Sequence, residues 1–419
     1  MIVREHFDNG LCLLTESVPD VRSVSFAAWL TRGSRHERGA QSGIAHFIEH
    51  MLFKGTATRS ALDIAQEIDS LGGQLDAFTA KECASYYVKV LDEHLPRAVD
   101  VLADLLLNPA FDEGDIEREK RVVLEEIKMV EDTPDDLVHE LFTQRFWAGH
   151  PLGRPILGLP KTIDDFDGST LRQYFSRVYT AKNLVLAAAG NVEHAAVRDL
   201  ISEAFDTLPL ESDPVEDSAP EAVLGLAVHG KSLEQCHICL GASGYPHQHD
   251  DRYVCYILNV VLGGSMSSRL FQNIREKRGL AYAVNSSLVS YRDGGAITIY
   301  AGCDTDAVQK VVDLVVAELQ DLRDRPISPE ELRRTKDHLK GSLVLNLEST
   351  SSRMSNMARQ EIYFGRQFTV DETLQGVERV SSDDVQRVAR SLFPPGGLAA
   401  AVLGPVDQLG LTEDQLGLL

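Results

Sequence analysis

The sequence predicts an α+β fold of two homologous domains, each an antiparallel-leaning β-sheet covered by α-helices. An acidic, Pro-containing linker divides the 419-residue chain into two halves of nearly equal length. The same order of strand-like and helix-like segments occurs in both halves. The composition, 43% hydrophobic and 25% charged, is that of an ordinary globular protein with enough apolar residues for a core.

The linker is expected at residues 210–224, between an N-terminal domain at 1–209 and a C-terminal domain at 225–419. The surrounding stretch 208–221 contains three prolines, five acidic residues and no basic residue. Such a composition is typical of a solvated connection rather than of a packed element.

The internal repeat is clearest in the middle of each half, where a strand-like run is followed by a helix with apolar spacing and then by a charged amphipathic helix. In chain order these segments are 85–91, 95–106 and 112–131 in the first half, and 296–301, 308–319 and 328–347 in the second. The first helices of the two sets begin 213 residues apart. Two unrelated amphipathic helices can resemble each other, but the matching order of elements favours a duplicated domain.

The first strands are also visible in the sequence. Asp8-Asn9-Gly10 separates two apolar-containing runs, and Asn-Gly tolerates the positive φ of a tight turn, so a β-hairpin is predicted at the start of the chain. The run 24–30 is apolar on both faces and is therefore expected to be a central strand.

Charge and cysteine content limit the classes of function. Lys and Arg number 41 against 63 Asp and Glu, a net charge of −22, which argues against nucleic acid and anionic membranes as partners. The six cysteines are scattered, as expected for reduced thiols. The first residues lack a signal-peptide pattern, and the sequence has no apolar run of about 18 residues. A cytoplasmic location is expected, with a mature organellar form left open.

The segment 42–53 carries the strongest chemical signal. It is predicted to be helical with Ser42 as its N-cap, and His46, Glu49 and His50 then stand at i, i+3 and i+4 on one face. Two imidazoles and a carboxylate so arranged suit a zinc ion and a general base for water, in the H-x-x-E-H order of inverzincins. The alternative is an ordinary packed or solvated helix face, which a third ligand would argue against.

A third ligand is available in the helix predicted at 111–131, capped by Asp112 or Asp115. The helix has an apolar stripe of Ile116, Val123 and Val130. Glu119 and Glu126 are seven residues apart on or beside this stripe. A buried carboxylate needs a partner, and a metal ion is one such partner. A surface helix with i,i+4 ion pairs would explain the outward acids but not these two.

With these motifs in place, the chain resembles the pitrilysin, insulin-degrading enzyme and mitochondrial processing peptidase family of zinc peptidases, especially its short bacterial members. In that family the third zinc ligand lies about 76 positions after the second histidine. The resemblance therefore implies His46, His50 and Glu126 as ligands of one zinc ion per chain, with Glu49 as general base on a zinc-bound water. It implies Glu119 as a supporting acid. Glu125 competes with Glu126 for the ligand position but falls off the stripe.

The resemblance extends to the second half. Arg275 and Tyr282 match a family pair, spaced by seven, that holds substrate and stabilises the oxyanion; Arg278 competes with Arg275. The segment 75–86 resembles the family's substrate-side strand, although Asp76 stands where the family usually has Asn. An ordinary sheet strand is the alternative for this segment.

Only the first half has the zinc ligands. The offset of 213 residues carries the H-x-x-E-H positions to Asn259, Leu262 and Gly263, and position 126 to Leu339. The second domain is therefore expected to be a non-catalytic copy. Its Cys236-x-x-Cys239 lacks a second pair and alternates like a strand, so a structural role is predicted.

The sequence thus predicts a zinc-dependent metalloendopeptidase acting on short or unfolded polypeptides. The resemblance implies a homodimer that forms a clamshell around substrate. The alternative is a non-catalytic or partner-dependent subunit of a peptidase-like assembly. Because 112–140 contains twelve acidic and four basic residues, a preference for basic peptides is expected.

Overall fold

The computed structural model describes residues 2–210, 218–405 and 411. The strands are β1 (Ile2–His6), β2 (Cys12–Ser17), β3 (Ser23–Leu30), β4 (Gln74–Thr79), β5 (Ala84–Leu91), β6 (Leu184–Gly190), β7 (Gly225–Gly230), β8 (Cys236–Gly244), β9 (Ala281–Ser290), β10 (Gly295–Cys303) and β11 (Ala399–Gly404). The helices of the first half are α1 (Ile44–Leu52), α2 (Ala61–Ser70), α3 (Leu95–Leu107), α4 (Glu113–Asp132), α5 (Pro134–Phe146), α6 (Pro160–Asp164), α7 (Gly168–Val178) and α8 (His194–Ala204). Those of the second half are α9 (Arg252–Leu262), α10 (Val308–Asp324), α11 (Pro329–Asn346), α12 (Thr350–Phe364), α13 (Val370–Glu378) and α14 (Ser382–Leu392).

The strands form two sheets of matching topology. The first has the order β1-β2-β6-β3-β5-β4 and the second β7-β11-β8-β10-β9. In each sheet the strand near one edge pairs in parallel with the last strand of its half, β2 with β6 and β7 with β11, and the other pairings are antiparallel. The second sheet lacks only a counterpart of β1 among the described residues. The predicted α+β class, with two homologous domains and antiparallel-leaning sheets, is confirmed.

Most predicted elements lie where the periodicity placed them. The opening β1–β2 hairpin is present, with Gly10 at φ +87° in its turn. The strand β3 pairs with β5 on one side and β6 on the other, and nearly all of it is buried, so it is central as expected. The repeated helices α3 and α10 begin 213 residues apart, at Leu95 and Val308.

The compact units of the structure do not follow a single boundary along the chain. Unit 1 consists of residues 1–128, 154–217 and 346–367, and unit 2 consists of 129–153, 218–345 and 368–419. Each half of the chain therefore gives one helix to the other unit: α5 belongs to unit 2 and α12 to unit 1. The division at 210–224 stays a prediction for the duplicated sequences, and positions 211–217 of that linker lie outside the described residues.

Apolar packing explains why α12 belongs to unit 1 and α5 to unit 2. In unit 1, Met354 and Met357 of α12 are buried against the sheet, where Trp29 Nε1 lies 3.5 Å from Met354 Sδ. In unit 2, Phe142 and Phe146 of α5 are buried on the second sheet. The site opposite Phe142 is Gly241, where a Cβ would lie 2.5 Å from the phenyl ring. Glycine is therefore required there for α5 to pack.

The remaining helices form the main core of each unit by covering the other face of its sheet. In unit 1 this core includes the apolar residues of α1 and α3, so the helix bearing the H-x-x-E-H motif is part of the core rather than a surface addition. No helix in the described ranges is long and apolar enough to cross a bilayer.

We expect Met354→Ala to lower the free energy of unfolding by about 2–5 kcal/mol, because it leaves a cavity between α12 and the sheet. Met354 is 1% exposed, whereas Met266 is 75% exposed. The matched variant Met266→Ala should change stability by less than about 0.5 kcal/mol. Urea unfolding of the full chain measures both, and equal effects of the two substitutions would contradict the packing of α12.

Candidate metal centre

Helix α1 presents the three residues of the motif. Its apolar residues Ile44, Phe47 and Ile48 are buried in the core, so its orientation in unit 1 is fixed by packing. His46 is buried and His50 is half-buried on the adjoining face. The 3.6-residue period puts both rings on one side of the helix, as the sequence predicted.

The start of α1 differs from the prediction. Ser42 is not its N-cap: the helix is preceded by Gly43 at φ +94°, with no capping side chain of its own. A Cβ on Gly43 would lie 2.7 Å from the Cα of Gly158, so the two backbones touch. The Ser42 carbonyl instead accepts a hydrogen bond from Thr162 Oγ1 at 2.7 Å.

Glu37 takes the capping role. Its two carboxylate oxygens accept hydrogen bonds from the backbone N–H groups of Gly43 and Ala45, each at 2.9 Å. These are free donors at the start of a helix, where the macrodipole also favours an acid. Burial nevertheless raises the pKa of Glu37 to about 8, against the lowering effect of the two N–H groups. Sequence reasoning missed this residue because it lies eight positions from Ala45, outside any local capping pattern.

Helix α4 supplies the acids. Asp112, one of the two predicted caps, accepts hydrogen bonds from the N–H groups of Gly114 and Asp115 at 2.9 and 3.1 Å. Further along the helix, Glu119 is buried in the protein interior and Glu126 is half-exposed. The exposed Glu125 instead pairs with Lys128 at 2.7 Å, consistent with its rejection as a ligand.

Three donor atoms converge between α1 and α4. The Nε2 atoms of His46 and His50 are 3.2 Å apart, and each lies 3.6 Å from Oε2 of Glu126. In a tetrahedral zinc site with bonds of about 2.0–2.2 Å, neighbouring ligand atoms are about 3.3–3.5 Å apart. Oε2 of Glu126 is buried and has no hydrogen-bond donor among the described residues. The three side chains therefore fit a divalent metal ion such as zinc.

Protonation favours metal binding at this point. Burial, followed by the proximity of His50, lowers the pKa of His46 to about 3, so its imidazole is neutral at physiological pH. A neutral imidazole has one lone pair to offer. In His50, Nδ1 lies 2.8 Å from Oε1 of Glu119. Since the carboxylate accepts, the hydrogen bond selects the tautomer that carries its proton on Nδ1, which leaves the lone pair of that tautomer on Nε2, toward the other two donor atoms.

Glu119 is itself held by charge. Lys54 Nζ lies 2.7 Å from its second oxygen. Burial would raise the pKa of Glu119, but the hydrogen bonds from His50 and Lys54 outweigh it and keep the pKa below its usual value. The acid therefore stays ionised and orients the His50 ring, which is how carboxylates support histidine ligands. Lys54 was not anticipated, although its spacing of four from His50 was a usable signal.

Glu49 does not belong to the three converging groups. Its Oε2 accepts a hydrogen bond from the Thr79 hydroxyl at the end of β4. Burial raises the pKa of Glu49, and the Thr79 hydrogen bond opposes this only in part. A carboxylate with a raised pKa is suited to accept a proton near neutral pH.

The predicted substrate-side segment is not one strand. Residues 75–86 comprise most of β4, a turn at 80–83 and the beginning of β5. Strand β4 is an edge of the first sheet, so its outer backbone groups have no strand partner among the described residues of unit 1. Asp76 accepts a hydrogen bond from Tyr87 Oη at 3.1 Å.

Arg275 and Tyr282 are neighbours in unit 2. Arg275 lies in a π-helical turn at 271–276 and Tyr282 in β9, with the guanidinium 5.1 Å from the centre of the phenol ring. Tyr282 is 78% exposed. The competing Arg278 donates to the carbonyl of Asn273 at 2.7 Å. Arg275 is thus the arginine that stacks on the tyrosine.

The remaining cysteine motif is structural. Cys236 and Cys239 lie in β8 at odd separation, so their thiols point to opposite faces of the sheet. In α9, the counterpart of α1, the positions reached by the repeat offset carry no imidazole or carboxylate.

Comparison with known proteins identifies the family. Residues 12–159 match the family described as insulinase (peptidase family M16), and residues 165–339 match the peptidase M16 inactive domain. The chain belongs to peptidase family M16. The M16 chain is 43% identical to the uncharacterized zinc protease YmxG of Bacillus subtilis, over 97% of this chain and 98% of that protein. It is 40% identical to an uncharacterized zinc protease of Streptomyces coelicolor, over 96% and 89% of the respective lengths.

Solved structures support the same fold at low sequence identity. A protease from Helicobacter pylori superposes with a TM-score of 0.90 at 23% identity, covering 97% of the M16 chain and 99% of that chain. A peptidase M16 inactive domain from Pseudomonas fluorescens gives a TM-score of 0.90 at 19% identity, covering 99% and 100%.

Substitution of Glu37 by Ala should lower the free energy of unfolding by about 1–3 kcal/mol, because it leaves two buried N–H groups at the start of α1 without acceptors. Amide hydrogen exchange of Gly43 and Ala45 should accelerate. The exposed Glu117 pairs with Lys120 and serves as the matched control, since Glu117→Ala should cost less than about 1 kcal/mol. If exchange at these amides were unchanged in Glu37→Ala, the capping role would be wrong.

Proposed function

We propose that this chain is a zinc-dependent endopeptidase that hydrolyses short or unfolded polypeptides. The proposal is carried by one observation: the donor atoms of His46, His50 and Glu126 lie 3.2–3.6 Å apart, with the carboxylate of Glu49 on the same helix. The names of the relatives, zinc proteases, support it.

The residues divide the chemistry between them. His46, His50 and Glu126 would hold zinc, and Glu119 would orient His50. Zinc, when bound, supplies a Lewis acid that lowers the pKa of water and polarises a carbonyl. Glu49 takes the proton from the attacking water and later delivers it to the leaving amine. Its raised pKa suits both steps, because a stronger base accepts the proton more readily.

Two further assignments rest on the family resemblance. Arg275 and Tyr282 would donate hydrogen bonds to the developing oxyanion, for which a guanidinium and a phenol are suitable donors. The free edge of β4 would bind an extended peptide by adding it as a strand. Such binding selects for unfolded or short substrates, since a folded protein has few free extended segments.

The competing function is that of a non-catalytic or partner-dependent subunit. The complete set His46, Glu49, His50 and Glu126 favours an active enzyme, because a purely structural subunit does not need three converging donor atoms with a buried, unpaired carboxylate oxygen among them. We infer a homodimer from the resemblance, with one zinc ion per chain. Hydrolysis by the pure chain, at the molecular mass of a dimer, distinguishes this from dependence on another protein.

The general-base role is tested by Glu49→Gln, which keeps the shape of the side chain but removes the proton acceptor. Hydrolysis of an unstructured peptide should fall by about 100-fold or more, at unchanged zinc content. Glu125→Gln on the surface of α4 is the matched control and should retain full activity toward a peptide without net charge. A Glu49→Gln protein that retained zinc and cleaved at the parental rate would refute the mechanism.

We further propose a preference for basic peptides. Residues 112–140 contain twelve acidic and four basic residues, and Glu117 and Glu125 of α4 are exposed on this segment. Such a field attracts cationic chains and is screened by salt.

Peptides of equal length and opposite net charge should therefore differ by about tenfold in kcat/KM at low ionic strength, in favour of the basic one. The difference should shrink as salt is added. It should also shrink in the double variant Glu117→Gln, Glu125→Gln. Equal turnover of both peptides at low ionic strength would exclude the preference.

A further inference from the structure

A second group of metal-binding side chains lies in unit 1, away from the helices α1 and α4. An imidazole nitrogen of His6, Sγ of Cys12 and a carboxylate oxygen of Glu361 are all within 4.8 Å of one another. His6 and Cys12 face each other across the β1–β2 hairpin as direct register partners, so their side chains share one face of the sheet. Glu361 comes from α12, which packs on that face.

The acid in this group is incompletely satisfied. The Glu361 side chain is only 8% exposed, and its Oε1 accepts a hydrogen bond from Arg4 at 2.5 Å. Its other oxygen, Oε2, is buried without a hydrogen-bond partner in the described part of the chain. A buried carboxylate oxygen left unpaired is unfavourable, and a coordinated cation would satisfy it.

We propose that His6, Cys12 and Glu361 form a second metal site, selective for a thiophilic divalent cation of the zinc class. A thiolate, an imidazole and a carboxylate are all zinc ligands, and the thiolate disfavours magnesium and calcium. Three protein ligands leave one position for water, and the exposed His6 leaves the site open to solvent. Ligand atoms on one zinc ion are about 3.3–3.5 Å apart, so atoms that all lie within 4.8 Å of one another need to move by at most about 1.5 Å, which an exposed side chain can do.

Binding at this site exchanges one ion for one proton. The Cys12 thiol loses its proton to solvent as sulfur bonds to the cation, while His6 binds as the neutral ring and Glu361 as the carboxylate. Burial, and then the charge of Glu361, raise the pKa of Cys12 to about 11, so without a cation the thiol is protonated. Arg4 donates hydrogen bonds to Glu361 and to the carbonyl of Gly365, and it also hydrogen-bonds the Cys12 side chain, so its positive charge favours the thiolate but lowers the affinity for a cation.

The position of the site suggests a structural role. His6 and Cys12 belong to the first twelve residues, and Glu361 belongs to the helix that the second half contributes to unit 1. A cation bound to all three would connect α12 to the hairpin, in addition to the ion pair of Arg353 with Glu16 at 2.8 Å about two turns earlier in the helix. Such binding stabilises unit 1 by mass action without contributing to hydrolysis.

The experiment is a titration of the metal-free full chain with Co²⁺, followed by absorption spectroscopy. The site at His46, His50 and Glu126 contains no sulfur, so a thiolate-to-cobalt charge-transfer band in the near ultraviolet reports the second site alone. We expect two Co²⁺ per chain and such a band. Cys12→Ser should lose the band and one equivalent while retaining peptide hydrolysis.

Cys255→Ser is the matched control, because Cys255 and Cys12 are both 5% exposed and Cys255 has no part in the proposed site. It should retain the band and both equivalents. His6→Ala alters an exposed residue and should therefore fold like the unmodified chain. Removing a residue that only hydrogen-bonds a metal ligand lowers metal affinity by about 10–100-fold. Removing His6, a ligand itself, should lower the affinity of the second site for Co²⁺ at least as much. Absence of the band in the unmodified chain, or its persistence in Cys12→Ser, would overturn the proposal.

Discussion

Two imidazole nitrogens and a carboxylate oxygen lie within 3.6 Å of one another in unit 1, and with each ring neutral and protonated on Nδ1 all three present lone pairs to one another. A neutral imidazole lone pair gains nothing from a second lone pair or from an anion, so this arrangement is costly unless packing imposes it or a cation joins it. The core contacts of α1 fix the positions of the two histidines. The Asp112 cap and the buried stripe of α4 fix the position of Glu126.

The supporting contacts share one feature: each places a charged or polar group against a specific backbone or side-chain donor. Glu37 binds the free N–H groups of α1, Glu119 binds the ring of His50, and Thr79 binds Glu49. Because Glu37 and Glu119 are buried, their hydrogen bonds compete little with water. The metal centre therefore depends on a surrounding layer of polar contacts as much as on its three donor atoms.

The duplicated topology separates scaffold from chemistry. Both sheets use the same order and direction of equivalent strands, and α9 occupies the place in unit 2 that α1 occupies in unit 1. At the equivalent positions, however, α9 has Asn259 and Leu262, which are not metal ligands in such a setting. The same fold therefore forms whether or not the metal-binding residues are present. This is expected when stability comes from apolar packing and function from a few polar side chains.

Local sequence patterns predicted the elements well. The 3.6-residue period placed His46 and His50 on one face of α1, and the seven-residue separation placed Glu119 and Glu126 on one side of α4. The Asn-Gly turn, the central strand β3 and the repeated helices α3 and α10 were also predictable from short windows. Each depends on neighbours within a few residues, where the geometry of the chain is nearly invariant.

Contacts between distant parts of the chain were not predictable. The sequence contains no pattern that links Glu37 to the start of α1, and Ser42 was the better local candidate for that cap. Nor does it link α12 to the first sheet, or Glu361 to His6 and Cys12. The sequence by itself determined the elements, their duplication and the residues able to bind a metal. Only the tertiary structure decided which donor atoms meet and which helix covers which sheet, because these depend on long-range packing that no local period encodes.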